Sequence, residues 1–113
     1  MRQAGILAAA GLYALEHNIQ RLADDHAHAR QLAARLQQIP GISIDPETVD
    51  TNILFSDVVG AKWSAKESVA ALKPHGLLLN AVGARSCRAV THLDVPAEAI
   101  EQAAEKIARV LDR

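Results

Sequence analysis

The chain has 113 residues, half of them apolar and only three aromatic (Tyr13, Phe55 and Trp63), which is enough for one hydrophobic core and too little for two large ones. Twelve basic residues against thirteen acidic give a formal net charge of −1, a balance that leaves no electrostatic footprint for nucleic acid or an acidic membrane, and no apolar run approaches the roughly 20 residues that span a bilayer. A single cysteine, Cys87, excludes an internal disulfide and fits a reducing compartment; the opening residues do not read as a signal peptide, so the cytoplasm is the expected location.

Residues 3–16 are rich in Ala and Leu and read as a helix that is apolar nearly all round. Gly5 and Gly11 each weaken an exposed helix by about 1 kcal/mol relative to Ala, and a helix of this kind is normally buried on most sides. A domain this small offers little interior to surround it, so the helix implies a partner subunit or a larger domain. Asn18 then reads as an N-cap. Ile19, Leu22, His26, Ala29, Leu32, Leu36 and Ile39 follow at spacings of three and four, one apolar stripe on a long helix that Pro40-Gly41 ends. Ile42–Ile44 is a short strand, Asp45-Pro46-Glu47 a turn, and Thr51–Asp57 a stronger strand with a continuous apolar centre.

Ser64 with Glu67 three residues on is a capping box, opening a short helix that runs to about Lys73 before Pro74 and Gly76. Leu77–Asn80 and Cys87–His92 read as two further strands. Pro96 opens the last helix, with Glu98 and Glu101 near its positive end and Ile100, Ala103, Ala104, Ile107 and Leu111 as its buried stripe. The expected fold is α+β: a small sheet of three to four strands with helices packed against it, preceded by the mostly apolar helix. A boundary falls near Glu16–Asn18 and divides residues 1–16 from a domain over 17–113.

Arg88 carries the clearest chemical signal. It sits on an apolar, β-branched run, where a guanidinium is costly unless an anion faces it. Its two parallel N–H donors match the two oxygens of a carboxylate. Arg88 is therefore the candidate for holding a small acidic substrate, with Arg85 as a loop arginine that could compete for that role. His92 shares strand parity with Arg88 and Val90 and could act as acid or base, although a histidine ending a strand more often satisfies backbone groups of the next loop. Cys87 points away from Arg88 on a strand and reads as a packed cysteine rather than a nucleophile. His26 and His28 project about 200° apart on a helix and form no metal pair; His26 reads as a stripe residue and His28 as solvated. Asp24, Asp25 and Glu16 read as solvated helix faces.

Five segments, in order, resemble the low-specificity L-threonine aldolases: the run from Met1-Arg2-Gln3-Ala4-Gly5 to Gly11, Tyr13-Ala-Leu-Glu16, Arg21-Leu-Ala-Asp-Asp-His26, Asp50-Thr-Asn-Ile-Leu-Phe55, and Arg88-Ala-Val-Thr-His-Leu-Asp-Val95. The resemblance implies the C-terminal small domain of a fold-type I, pyridoxal-phosphate enzyme that cleaves L-threonine or L-allo-threonine to glycine and acetaldehyde. It implies that Arg88 binds the substrate carboxylate and that Arg2 approaches the cofactor phosphate across a subunit interface in a homo-oligomer. The family's cofactor lysine lies in a Ser-Lys-Gly-like segment before the region matched here, and Lys62, Lys66, Lys73 and Lys106 do not correspond to it. No catalytic residue is assigned within these 113 residues, the expected partners are an amino acid and a large cofactor domain, and the chain alone is expected to be inactive. The alternatives are a non-catalytic oligomerisation module built on the 3–16 helix and a free amino-acid-binding module.

Overall fold

A computed structural model describes residues 2–60 and 62–112; Met1, Ala61 and Arg113, and with them the first residue of the Met-Arg-Gln motif, lie outside the described residues. Four antiparallel strands, β1 (Ile42–Ser43), β2 (Ile53–Val58), β3 (Asn80–Ala81) and β4 (Ser86–Val90), form one sheet in the order β1-β2-β4-β3. Helices α2 (Leu22–Leu36), α3 (Ala65–Leu72) and α4 (Ala97–Leu111) pack with it, while α1 (Ala4–His17) precedes them. This is the α+β layer expected from the sequence. The β3 strand is shorter and shifted relative to the expected Leu77–Asn80, because Leu77 and Leu79 turn into the core from an irregular segment instead of pairing.

The core explains the layer. Ala29, Leu32, Ala33 and Leu36 on α2 meet Ile100, Ala104, Ile107, Val110 and Leu111 on α4, with Leu54 and Ala89 from the sheet and Leu72 from α3 beneath them. Ala29 and Ala33 have no exposed surface, so small side chains let the two long helices approach closely. Glu101 on α4 locks the same contact from outside, accepting from Gln31 at 2.6 Å and pairing with Arg35 at 3.0 Å. A smaller cluster of Val58, Ala65 and Cys87 joins α3 to the sheet.

Helix ends are served by particular side chains. Ser64 accepts the Glu67 backbone N–H at 3.2 Å and Glu67 accepts that of Ser64 at 2.9 Å, forming the capping box. The last carbonyls of α4 have no intrahelical donor; Trp63 Nε1 reaches Leu111 at 3.0 Å and Lys62 Nζ reaches Asp112 at 2.7 Å. Pro96 stands at the N-cap of α4 rather than inside its first turn.

Asn18 does not cap α2. It closes α1, its N–H bonding Ala14 at 2.9 Å, and a turn carries the chain to Arg21 at the head of α2. The apolar stripe also starts later than its periodicity implies: Ile19 and Leu22 are exposed, and the buried face begins at Asp25. No side chain of α1 is buried, and Ile6 and Leu15 are 70% and 63% exposed. The radius of gyration, 16.2 Å, exceeds the ~13 Å of a compact 100-residue domain, as expected when a helix about 21 Å long stands off the rest.

Replacing Ser64 by Ala removes the capping side chain and is expected to destabilise the domain by about 1 kcal/mol. Leu54→Ala, which hollows the main core, is expected to destabilise it by about 2–5 kcal/mol. Urea unfolding checks both: each midpoint falls with an unchanged slope.

Candidate functional site

Strand alternation decides what the open face of the sheet presents. Leu54, Val58, Cys87 and Ala89 point to the helices and are buried. Ile53, Phe55, Asp57, Ser86, Arg88 and Val90 therefore occupy the opposite face. Arg88 lies on an interior strand, paired across to Phe55 on β2 and to Asn80 on β3. Its side chain is half-buried among these neighbours, and its Nε is enclosed without a hydrogen-bond partner. No carboxylate among the described residues pairs with it. Asp57, on the same face, is engaged instead by the Ser86 hydroxyl. Phe55 (57% exposed), Ile53 and Val90 give the guanidinium apolar flanks. A guanidinium's charge and planar donor fork, set beside apolar neighbours, have the chemistry that suits an anion.

The other candidates are distributed elsewhere. Arg85 is a structural arginine: its guanidinium donates to the carbonyls of Gly60, of Trp63 at 2.8 Å and of Val58 at 3.4 Å, clamping the loop between β2 and α3. Arg2 is exposed at the head of α1, just before Gln3, whose φ of 55° turns the chain into the helix. His92 lies beyond the end of β4, exposed, its Nδ1 accepting the Asp94 N–H at 3.3 Å. That is the loop-satisfying arrangement rather than an acid–base one.

Cys87 is 6% exposed and directed to the Ala65 carbonyl, and burial together with Asp57 raises its thiol above the ordinary range. No group of three or more metal-ligating side chains occurs among the described residues. Two expectations need correction. His28 is half-buried, with Nδ1 enclosed and without a partner, not solvated. Asp25 is 3% exposed, not on a solvated face. Its carboxylate receives both guanidinium nitrogens of Arg21, each at 2.8 Å, and this pairing holds it below the usual carboxylate range.

Sequence reasoning missed the group that closes this end of the sheet. Thr91, 2% exposed, donates its hydroxyl to the Asp25 carbonyl at 2.6 Å and its N–H to the Asn52 carbonyl at 2.9 Å. Asn52 Nδ2 returns a bond to the Thr91 carbonyl at 2.7 Å. The available signals were the i,i+4 spacing of Arg21 and Asp25 and the position of Asp25 in phase with Ala29 and Leu32.

A four-stranded antiparallel sheet with helices on one face and an arginine on the other defines a small α+β domain. The fold superposes on the cystine C-S lyase C-DES, in complex with its product cysteine persulfide, with a TM-score of 0.75 at 18% identity, covering 95% of this chain and 29% of that one. A C-DES variant with glycine covalently linked to its PLP cofactor matches equally well, with 95% and 28% covered. The family model of the beta-eliminating lyases matches residues 1–59, and this chain belongs to that family. It is 42% identical over 108 residues to the low specificity L-threonine aldolase of Escherichia coli K12, covering 92% of this chain and 29% of that protein. It is 37% identical over 111 residues to a probable low-specificity L-threonine aldolase of Arabidopsis thaliana, covering 95% and 31%. The chain thus spans about three tenths of the length of the curated relatives it matches. No helix among the described residues is long and apolar enough to cross a membrane.

Two measurements follow from these environments. Because the Asp25 carboxyl is depressed in the fold, its contribution to stability is complete above the ordinary carboxylate value of about 3.9 and is lost as pH falls through the folded value. Thermal melts between pH 6 and 3 are expected to show this acid loss, and Asp25→Asn is expected to start less stable and to lose less on acidification. Cys87 is expected to react with a thiol reagent in the native protein only as fast as the domain opens, and at once in denaturant.

Proposed function

We propose that this chain forms the carboxylate-binding part of a threonine-aldolase-like, pyridoxal-phosphate-dependent enzyme that cleaves L-threonine or L-allo-threonine to glycine and acetaldehyde. The observation that carries the reading is the Arg88 guanidinium, held on the open sheet face with Nε enclosed and unpartnered. A substrate α-carboxylate would pair with the terminal nitrogens of the same guanidinium, which the enclosed Nε holds in place. The two-pronged pairing fixes the carboxylate plane and so the orientation of the bonds at Cα. Phe55 and Val90 give the guanidinium apolar neighbours on the same face, and Asp57 is engaged by Ser86.

The residues present fit part of a cofactor site. Arg2, exposed at the head of α1, offers a positive charge suited to the cofactor phosphate. Pyridoxal phosphate, when bound, supplies the electron sink for the pair released as the Cα–Cβ bond breaks. The covalent lysine is not among Lys62, Lys66, Lys73 and Lys106. Lys62 and Lys106 are committed to the carbonyls of Asp112 and His75, and Lys66 lies on α3 in the helical layer. In this reading, residues 1–16 belong with a larger cofactor domain or a partner subunit of a homo-oligomer, and 17–113 form the small domain. The exposed apolar side chains of α1 support that division.

The test is the enzyme that carries this chain, loaded with cofactor. Arg88→Ala is expected to raise KM for threonine about 10- to 100-fold, the loss of hydrogen bonds to a charged group. Arg88→Lys is expected to recover only part, since an ammonium cannot form the planar pair. An unchanged KM in Arg88→Ala refutes the assignment. The 113 residues alone, mixed with pyridoxal phosphate and borohydride, are expected to retain no cofactor on a specific lysine and to cleave no threonine.

A further inference from the structure

We infer that Thr91 and Asn52 are positioning residues for Arg88, acting by sealing the end of the sheet from which it projects; the inference rests on the reading of Arg88 as the carboxylate holder. Two strand pairs, Leu54 with Ala89 and Ile53 with Val90, separate the Phe55–Arg88 pair from the end of the β2–β4 ladder. On its other side Arg88 has only the two-residue β3. A ladder end with so few neighbours opens more readily than its middle, and movement there would carry the guanidinium with it.

The observed bonds oppose that opening. Thr91 N–H donates to the Asn52 carbonyl at 2.9 Å, and Asn52 Nδ2 donates to the Thr91 carbonyl at 2.7 Å. One residue thus satisfies both backbone groups of the other, and a side-chain amide replaces the next rung of the ladder. The Thr91 hydroxyl, donating at 2.6 Å to the carbonyl of Asp25, fastens the same point to α2. Asp25 itself is fixed by the paired bonds from Arg21. Valine would fill the Thr91 position with nearly the same shape and the same stiff χ1, so the hydroxyl is spent on direction rather than on volume. The strand end is tied to a core helix, and the carboxylate holder three residues back takes its place from that tie.

The test compares Thr91→Val, Arg88→Ala and the double variant in the cofactor-loaded enzyme that carries this chain. Thr91→Val is expected to raise KM for threonine about tenfold while kcat stays within about twofold, a displaced contact rather than a lost one. In the Arg88→Ala background it is expected to raise KM no further, because the two substitutions remove the same interaction. Thr91→Ser, which keeps the donor, is expected to return KM to near the parent value. Should Thr91→Val fail to accumulate as folded protein, Asn52→Ser carries the same expectations.

A lowered unfolding midpoint with an unchanged KM, or an effect that adds in full to that of Arg88→Ala, overturns the inference. If Arg88→Ala itself leaves KM unchanged, the carboxylate reading falls and takes this inference with it. The two failures are therefore distinguishable.

Discussion

The alternation of β4 is the constraint on which the site depends. Cys87 and Ala89 must face the helices because that side is the core, and a strand has only two sides. Arg88 is thereby forced onto the other face, where no described acidic side chain pairs with it. A one-residue slip of register would bury the guanidinium against Leu54 and Leu72 and expose the core residues. The apolar packing of α2 and α4 over the sheet therefore fixes an arginine that those helices need not touch. The same burial that holds the domain together aims the Arg88 guanidinium outward.

Around Arg88 the polar groups are partitioned so that few compete for it. Arg85 is occupied by the carbonyls of Val58, Gly60 and Trp63, Asp57 by Ser86, and Asp25 by Arg21. His92 is engaged by the backbone of Asp94. Among the described residues, Arg88 is the arginine left with an enclosed donor that has no partner. The opposite imbalance occurs on α1, whose large apolar side chains stand in solvent. A 14-residue helix with no buried side chain is near the limit of what propensity alone supports in water.

Much of this was legible in the residues. The 3.6-residue stripe of α4, the Ser64–Glu67 box, the β-branched runs of β2 and β4 and the outward placement of Arg88 all follow from local periodicity and chemistry. The resemblance to threonine aldolases, carried by the runs around Arg2 and Arg88, agrees with the 42% identity found over most of the chain. What escaped was non-local. Asn18 has the chemistry of an N-cap, but the chain continues from α1 in a turn that uses it as a C-cap. Ile19 and Leu22 continue the stripe of α2 by spacing, yet they lie beyond the reach of α4 and the sheet. Asp25 reads as solvated because carboxylates usually are; only the Arg21 fork makes its burial tolerable.

The sequence by itself determined most of the elements, the α+β class, the face of β4 that carries Arg88 and the kinship with a lyase family, because each is encoded in spacing or in residue identity along a short stretch. The tertiary structure alone decided which arginine is free and which is spent, that a buried aspartate is paired, and that Asn52 and Thr91, 39 positions apart, close the sheet on α2. Those outcomes depend on which carbonyls and carboxylates come within hydrogen-bonding distance once the chain is folded, and no local pattern specifies that.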